Sequence, residues 1–333
     1  MLENKAILIC DDSPLVHKAM SKYLACLDGA TLYFAENGMQ AIDFLRARKI
    51  DVLFLDLTMP VMDGFEVLQQ IPENAHSTEV IVLSADVQKQ AIERCISYGA
   101  NHFLPKPFNQ SQLLNTLEHF GIYQKEVNSI DLFNDSDELF VHSDRDHYLT
   151  AFKEIANVAL GRGAAIISDH FGEFIKMPLP NVAMLTAGEL AMAINAIKEK
   201  NNSAAIAQRF VGGGIHGEAL VCLHGEDIKT FGHRLGFSEV DEQKSEVVID
   251  IANLMVSSFL VSLSEQMNIP FSVRQPILME DYMVLKEREC EQEALFTVEY
   301  RYKSELLDVD CDVLFMMDNN STLVLKRIME TLY

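Results

Sequence analysis

The sequence predicts an α/β protein: a doubly wound, parallel five-stranded domain, then a pseudo-symmetric α+β domain with two long helices against a sheet. Three observations carry this expectation. The 333 residues are enough for two domains at about 150 residues each. Across residues 5–120 short apolar runs alternate with longer helical patterns, the βαβα rhythm of a parallel sheet covered on both faces. Beyond residue 146 the chain repeats itself.

The first-domain strands are KAILIC, ATLYFA, VLFLDL, VIVLSA and HFLPK, spaced by amphipathic segments such as PLVHKAMSKYLACL and QAIERCISYGA. In such a sheet ligands gather at the carboxyl ends of the strands, where the strand order reverses. The domain spans 1–121. Residues 122–146 read as a solvated acidic linker, with Glu126, Asp131, Asp135, Asp137, Glu138, Asp144 and Asp146 against Lys125 and Arg145. Residues 147–333 form the second domain, with halves at about 147–235 and 243–333. EIANVALGRGAAIIS (154–168) and DIANLMVSSFLVSLS (250–264) align without a gap at an offset of 96, and GEALVCL (217–223) and CDVLFMM (311–317) read as matching strands.

Charge and cysteine usage narrow the function classes. The chain carries 27 Lys+Arg against 49 Asp+Glu, a net charge of −22, and the part after residue 120 is the more acidic. Such a surface repels nucleic acid and anionic lipid, so neither a DNA-binding output nor membrane insertion is expected. No uninterrupted apolar run approaches the roughly 20 residues of a spanning helix, and MLENKAILICDDSP reads as a first strand, not as a signal peptide. The six scattered cysteines, without a CxxC pair, imply reduced thiols and a cytoplasmic protein. The ten histidines lack HxxxH and HExxH spacings, and the glycine-rich GRG (161–163) and VGGGIHG (211–217) lack the phosphate-loop lysine. Those glycines read as a strand turn or a close helix approach.

Four features fall at strand ends: Asp11-Asp12, Asp56, Ser84 and Lys106. Three carboxylates converging on one pocket need a hard divalent cation, and Mg2+ suits oxygen ligands with room for water and phosphate. Lys106 then supplies a fixed positive charge, Ser84 a hydroxyl for a phosphoryl oxygen, and Asp56 a nucleophile that becomes an acyl phosphate. Lys106-Pro107 is a candidate cis bond. With DLTMPVMDG around Asp56, the set resembles the CheY-like receiver domain of two-component response regulators. The resemblance implies that Asp11, Asp12 and Asp56 hold Mg2+, that Asp56 takes phosphate from a CheA-like histidine kinase in a reaction the receiver itself catalyses, and that Ser84 and Phe103 are the switch pair. Thr58 and Asp86 would line the phosphoryl entrance.

In the second domain each repeat helix opens with an acid and an amide three apart, Glu154…Asn157 and Asp250…Asn253, so both side chains share a helical face. Asn is a poor helix former, and a carboxamide can hold a water by one donor and one acceptor. Alone, either motif reads as well as a capping amide beside an exposed acid. Residues 147–333 resemble the CheC/CheX/FliY phosphatases of bacterial chemotaxis, whose motif is E-x-x-N on a long helix. The resemblance implies that Asn157 positions the attacking water and Glu154 pairs with the lysine of a phosphorylated CheY-like receiver, with Asp250/Asn253 as a second catalytic pair, as in CheC. Asp250 replaces the family's Glu and is one methylene shorter, which implies weaker docking or lost activity at the second pair. The alternatives are a phosphatase acting on its own receiver and a non-catalytic adaptor. A homodimer is compatible with both.

Overall fold

The computed structural model describes residues 5–27, 29–75, 77–123, 147–186, 188–190, 192, 203–238, 240, 244–279, 294–304 and 310–332. The acidic stretch 124–146 therefore lies outside the described residues. Contacts divide the chain into two compact units, Met1–Ser84 with Ile92–His147 and Tyr333, and Ala85–Ala91 with Tyr148–Leu332.

The first unit is a five-stranded parallel sheet in the order β2-β1-β3-β4-β5. Its strands are β1 (Ala6–Cys10), β2 (Thr31–Ala35), β3 (Val52–Asp56), β4 (Glu79–Ser84) and β5 (His102–Pro105). The helices are α1 (Pro14–Leu24), α2 (Gly38–Ala47), α3 (Gly64–Gln70), α4 (Lys89–Ser97) and α5 (Gln110–His119). Central strands read as unbroken apolar runs because both faces are covered. Ile7, Ile9, Val52, Phe54, Ile81 and Leu83 pack with Met20 and Leu24 of α1 and Leu113 and Leu117 of α5. Their neighbours Leu8, Cys10, Leu53, Leu55, Val80 and Val82 pack with Ala41 and Ile42 of α2, Val67 of α3 and Cys95 of α4. The alternation splits every strand between two cores, which is the doubly wound arrangement. The order reverses between β1 and β3, so the carboxyl ends of these strands form the crevice.

The second unit is an antiparallel eight-stranded sheet with two long helices, α6 (His147–Phe171) and α8 (Lys244–Met267). The remaining elements are β6 (Ile175–Lys176), β7 (Asn181–Leu185), β8 (Ser203–Gly212), β9 (Ile215–His224), α7 (Gly225–Arg234), β10 (Ser272–Val273), β11 (Ile277–Met279), β12 (Leu295–Ser304), β13 (Asp310–Met317) and α9 (Asn319–Leu332). Among the described residues, each half runs long helix, two short strands, long hairpin, helix, and the first half has further helical residues at 188–190 and 192. The hairpin strands β9 and β13 pair at the sheet centre, Val221 opposite Val313, while β7 of the first half joins β12 and β11 of the second joins β8. The halves exchange edge strands, so neither sheet half is complete without the other. The helices meet near the same pseudo-axis: a Cβ on Gly163 would lie 3.4 Å from the Phe259 backbone nitrogen, and 163 and 259 are related by the repeat offset.

The glycine-rich stretch 211–217 is a hairpin turn, with Gly213 and Gly214 at φ 58° and 86° between β8 and β9. These left-handed values favour glycine at both positions of a two-residue turn. Helix α8 is long and apolar enough to cross a membrane by length and composition, but 61% of its most apolar stretch is buried inside the protein. Met255, Phe259 and Leu263 face the core at 0%, 0% and 1% exposure, as a sheet-covering helix requires. Met316 and Met317 of β13 are buried as well. Cys10, Cys95, Cys222 and Cys311 are buried free thiols and Cys26 is an exposed one.

Candidate functional sites: a carboxylate pocket and two acid–amide pairs

In the first unit the strand ends bring together the residues that the sequence singles out. Asp11 follows β1, Asp56 ends β3, Ser84 ends β4 and Lys106 follows β5. All four are at most 3% exposed. Lys106 Nζ lies 2.7 Å from Asp11 Oδ2, donating to it, and 3.2 Å from Asp56 Oδ2. The other carboxylate oxygens are held by backbone: Asp11 Oδ1 accepts from Ser13 N at 2.9 Å and Asp56 Oδ1 from Leu57 N at 2.7 Å. Lys106 N donates to Ser84 O at 2.8 Å, locking the β5 end to the β4 end, and the Lys106-Pro107 bond is cis.

The loop after Asp56 explains the MPVMDG sequence. Met62 N donates to Pro60 O at 2.9 Å around Val61, whose φ is 71°. This is a tight three-residue turn that a β-branched residue adopts only at a cost. A Cβ on Gly64 would fall 2.3 Å from the Asp56 carbonyl oxygen, so only glycine fits where α3 begins beneath the site. Asp63 caps that helix, accepting from Glu66 N at 2.9 Å, while Asp63 N donates to Glu66 Oε2 at 3.0 Å. Cap and glycine together fix the chain leaving Asp56.

One carboxylate oxygen from each of Asp11, Asp12 and Asp56 lies within 4.8 Å of the other two. Three hard oxygen donors around one ammonium leave an excess of negative charge that a small divalent cation satisfies, so the residues fit Mg2+. The neighbouring Cys10 thiol takes no part. Burial first, then the charges of Asp11, Asp56 and Asp12, push it far above the ordinary thiol range, and it stays an S–H at neutral pH.

Residues 7–118 match the response regulator receiver domain. The amino-terminal unit contains a CheY-like receiver domain. Its relatives include the peroxide stress-activated histidine kinase mak2 of Schizosaccharomyces pombe, 36% identical over 38% of this chain and 6% of the kinase. The chemotaxis protein CheY of Listeria monocytogenes is 36% identical over 34% of this chain and 94% of CheY. A solved CheX-CheY-BeF3-Mg+2 complex from Borrelia burgdorferi is 30% identical over 35% of this chain and 89% of that chain, at a TM-score of 0.33. The chain spans only 6% of the length of the kinase, and all three matches cover about a third of this chain. Receiver domains accept phosphoryl groups, bind Mg2+ in this acidic pocket and act with histidine kinases.

In the second unit, Glu154 and Asn157 lie in α6 and Asp250 and Asn253 in α8, each pair on one helical face. Their surroundings differ. Asn157 is 6% exposed and its Oδ1 has no hydrogen-bond partner among the described residues, with Glu154 half-buried one turn before it. Asp250 and Asn253 are exposed, and Asn253 Oδ1 accepts from Gln208 Nε2 at 3.0 Å and from Ser257 Oγ at 3.3 Å. Gln208 is a residue that the sequence reading did not single out, although the alternation Ile206, Gln208, Phe210 places it on the buried face of β8.

The segment Ala85–Ala91, next in sequence after Ser84, is part of this second unit. Gln88 pairs with the backbone of Ile175 in both directions, Nε2 donating to its oxygen at 2.7 Å and Oε1 accepting from its nitrogen at 2.9 Å. Asp86 accepts from Gln88 N and Nε2, each at 3.0 Å. Burial outweighs these bonds and raises its carboxyl to about 6.

Proposed function

We propose that the chain is a response regulator phosphorylated on Asp56 by a CheA-like histidine kinase, and that its second unit hydrolyses the aspartyl phosphate of a CheY-like receiver. The observation that carries the phosphatase reading is Asn157: a buried carboxamide oxygen without a partner, one helical turn from an acid. Leaving such an oxygen unmet costs about 1–3 kcal/mol, a cost that function explains if a substrate-bound water donates to it. In this reading Asn157 accepts a hydrogen bond from the attacking water, and Glu154 pairs with the lysine of the receiver. The water oxygen forms a new P–O bond as the acyl P–O bond breaks. The aspartate leaves as carboxylate, and the water's proton departs with inorganic phosphate. The carboxamide contributes orientation, not proton transfer.

In the receiver site Lys106 balances the charge that gathers on the phosphoryl oxygens, and Ser84 offers them a hydroxyl. Mg2+ held by Asp11, Asp12 and Asp56 supplies charge neutralisation there when bound. The deciding experiment follows phosphate release from separately prepared, phosphorylated Listeria CheY. Release should be lost in Asn157→Ala, and an unchanged rate refutes the assignment.

A second reading takes the chain's own Asp56 as the substrate, within the chain or across a dimer. If this reading holds, Asn157→Ala lengthens the lifetime of phospho-Asp56 in the full chain. An unaltered lifetime leaves only the partner receiver as substrate. The acidic surface and reduced thiols are in keeping with a cytoplasmic site of action.

A further inference from the structure

The two acid–amide pairs differ in which hydrogen-bonding groups they leave available, and this difference rests on one side chain. A carboxamide oxygen has two acceptor sites. On Asn253 both are taken, by Gln208 Nε2 at 3.0 Å and Ser257 Oγ at 3.3 Å. The orientation of these amides follows from the backbone. Gln208 Nε2 also donates to the carbonyl oxygen of Arg274 at 3.0 Å, an obligatory acceptor, so the end of Gln208 that faces Asn253 is its NH2. The Asn253 atom opposite must then be oxygen. Gln208 is 1% exposed, and Arg274 is itself pinned by its N–H to Arg209 O at 2.8 Å, so the clamp is rigid. Gln208 Oε1 is buried without a partner among the described residues, a cost accepted in order to point the NH2 at Asn253. Strand β12, which occupies the place of β8 in the second half, reads LFTVEYRYKS and has no carboxamide, and Asn157 Oδ1 is unbonded among the described residues.

We infer that Gln208 turns the second pair into a holding site: Asp250 and Asn253 dock a phosphorylated receiver without hydrolysing its phosphate. The inference rests on the phosphatase reading of Glu154/Asn157. Asn253 is exposed with only its NH2 to offer, so it can donate to a phosphoryl or carbonyl oxygen but cannot accept from an attacking water. Asp250, exposed on the same face, remains able to meet a lysine. The chain then carries one hydrolysing and one retaining surface for the same class of partner.

The test uses the full chain and Listeria CheY labelled by acetyl phosphate. Asn157→Ala should release phosphate no faster than the Asn157→Ala/Asn253→Ala double variant. Adding Gln208→Leu to Asn157→Ala frees the Asn253 oxygen and should raise release by about tenfold or more, about 1.4 kcal/mol in barrier. Ser257→Ala in the same background removes the longer of the two bonds from a half-buried position and should raise release by a smaller factor. It keeps the test decisive if the Gln208 variant does not fold. Beryllofluoride-treated CheY should still bind Asn157→Ala and bind the double variant about tenfold more weakly. Release by Asn157→Ala that Asn253→Ala removes overturns the inference alone. So do equal binding by the two variants, and clamp variants that fold without a gain. A wild-type chain that releases no phosphate overturns the phosphatase reading and this inference together.

Discussion

In the amino-terminal unit, groups as far as 95 residues apart, Lys106 and Asp11, meet because four parallel strands end on one edge of a sheet. In the second unit each acid and its amide are neighbours on one helical turn, and nothing long-range is needed to bring them together. The two kinds of site fail in different ways. The pocket depends on the sheet and on the loop that leaves Asp56. The helical pairs are guaranteed as pairs, and what each can do is decided by the residues that strands place against them. Gln208 is the case in point: it leaves the Asp250–Asn253 spacing intact while occupying the oxygen.

The largest effect expected from this comparison is at Asp56. Asp56→Asn should abolish labelling by acetyl phosphate, and stripping divalent cations with EDTA should do the same to the unaltered chain. Labelling that survives in Asp56→Asn would mean that the strand edge assembles a binding pocket and that the acceptor lies elsewhere.

Next in size is Gly64→Ala. The added Cβ would meet backbone atoms, Asp56 O at 2.3 Å and Leu57 Cα at 2.8 Å, which cannot swing away. Overpacking of this kind costs about 1–3 kcal/mol, and the displaced loop should slow labelling as well. Gly188→Ala in the second unit has nothing within 4 Å and should change stability by less than about 0.5 kcal/mol. Denaturant unfolding of the two variants measures both. Equal losses would show that the close approach beneath Asp56 relaxes freely.

How much of this was legible in the sequence follows the same division. VLFLD and VIVLS announce buried strands because unbroken apolar runs end on a polar residue, and the strand order of a doubly wound sheet then places those ends together. Glu154…Asn157 and Asp250…Asn253 are legible because helical spacing is local. The environment of each pair is not local. Gln208 reaches Asn253 across 45 residues, and Gln88 reaches Ile175 across 87. A glutamine in SAAIAQRFVG reads as a solvated strand residue until the register puts it beside Ile206 and Phe210. The exchange of β7 and β11 between halves is equally invisible in the aligned repeat, because it concerns which partner each edge strand chooses.

A smaller, pH-dependent effect belongs to Asp86. Its carboxyl titrates near 6 in the folded chain against 3.8 for an ordinary aspartate, chiefly because of burial. The folded state therefore binds the proton more tightly than the unfolded state. Stability falls as pH rises through the window from about 4 to 6, and the full penalty is present above it. Asp86→Asn keeps an oxygen for Gln88 N and removes the charge. It should raise the unfolding free energy at pH 7–8 by at most roughly 3 kcal/mol and leave it unchanged below about pH 4. A gain that persists at low pH would assign the effect to hydrogen bonding, not to a buried charge.

The smallest effect tests how the two motif helices are held. Arg162 of α6 and Glu265 of α8 form a 2.8 Å ion pair with side chains 35% and 60% exposed, so water and salt screen most of its attraction. Near the same crossing, Gly163 lets α6 approach the Phe259 backbone, and burial of Phe259, Val256 and Leu160 holds the helices through packing. Glu265→Ala should then cost less than about 1 kcal/mol, and the loss should shrink as salt is added. Gly163→Ala sets a Cβ 3.3 Å from Tyr302 Oη and 3.4 Å from the α8 backbone, and its loss should exceed that of Glu265→Ala and be insensitive to salt. The opposite order would mean that surface charge sets the helix spacing. The separation of the two acid–amide pairs would then respond to ionic strength, which packing at a glycine crossing forbids.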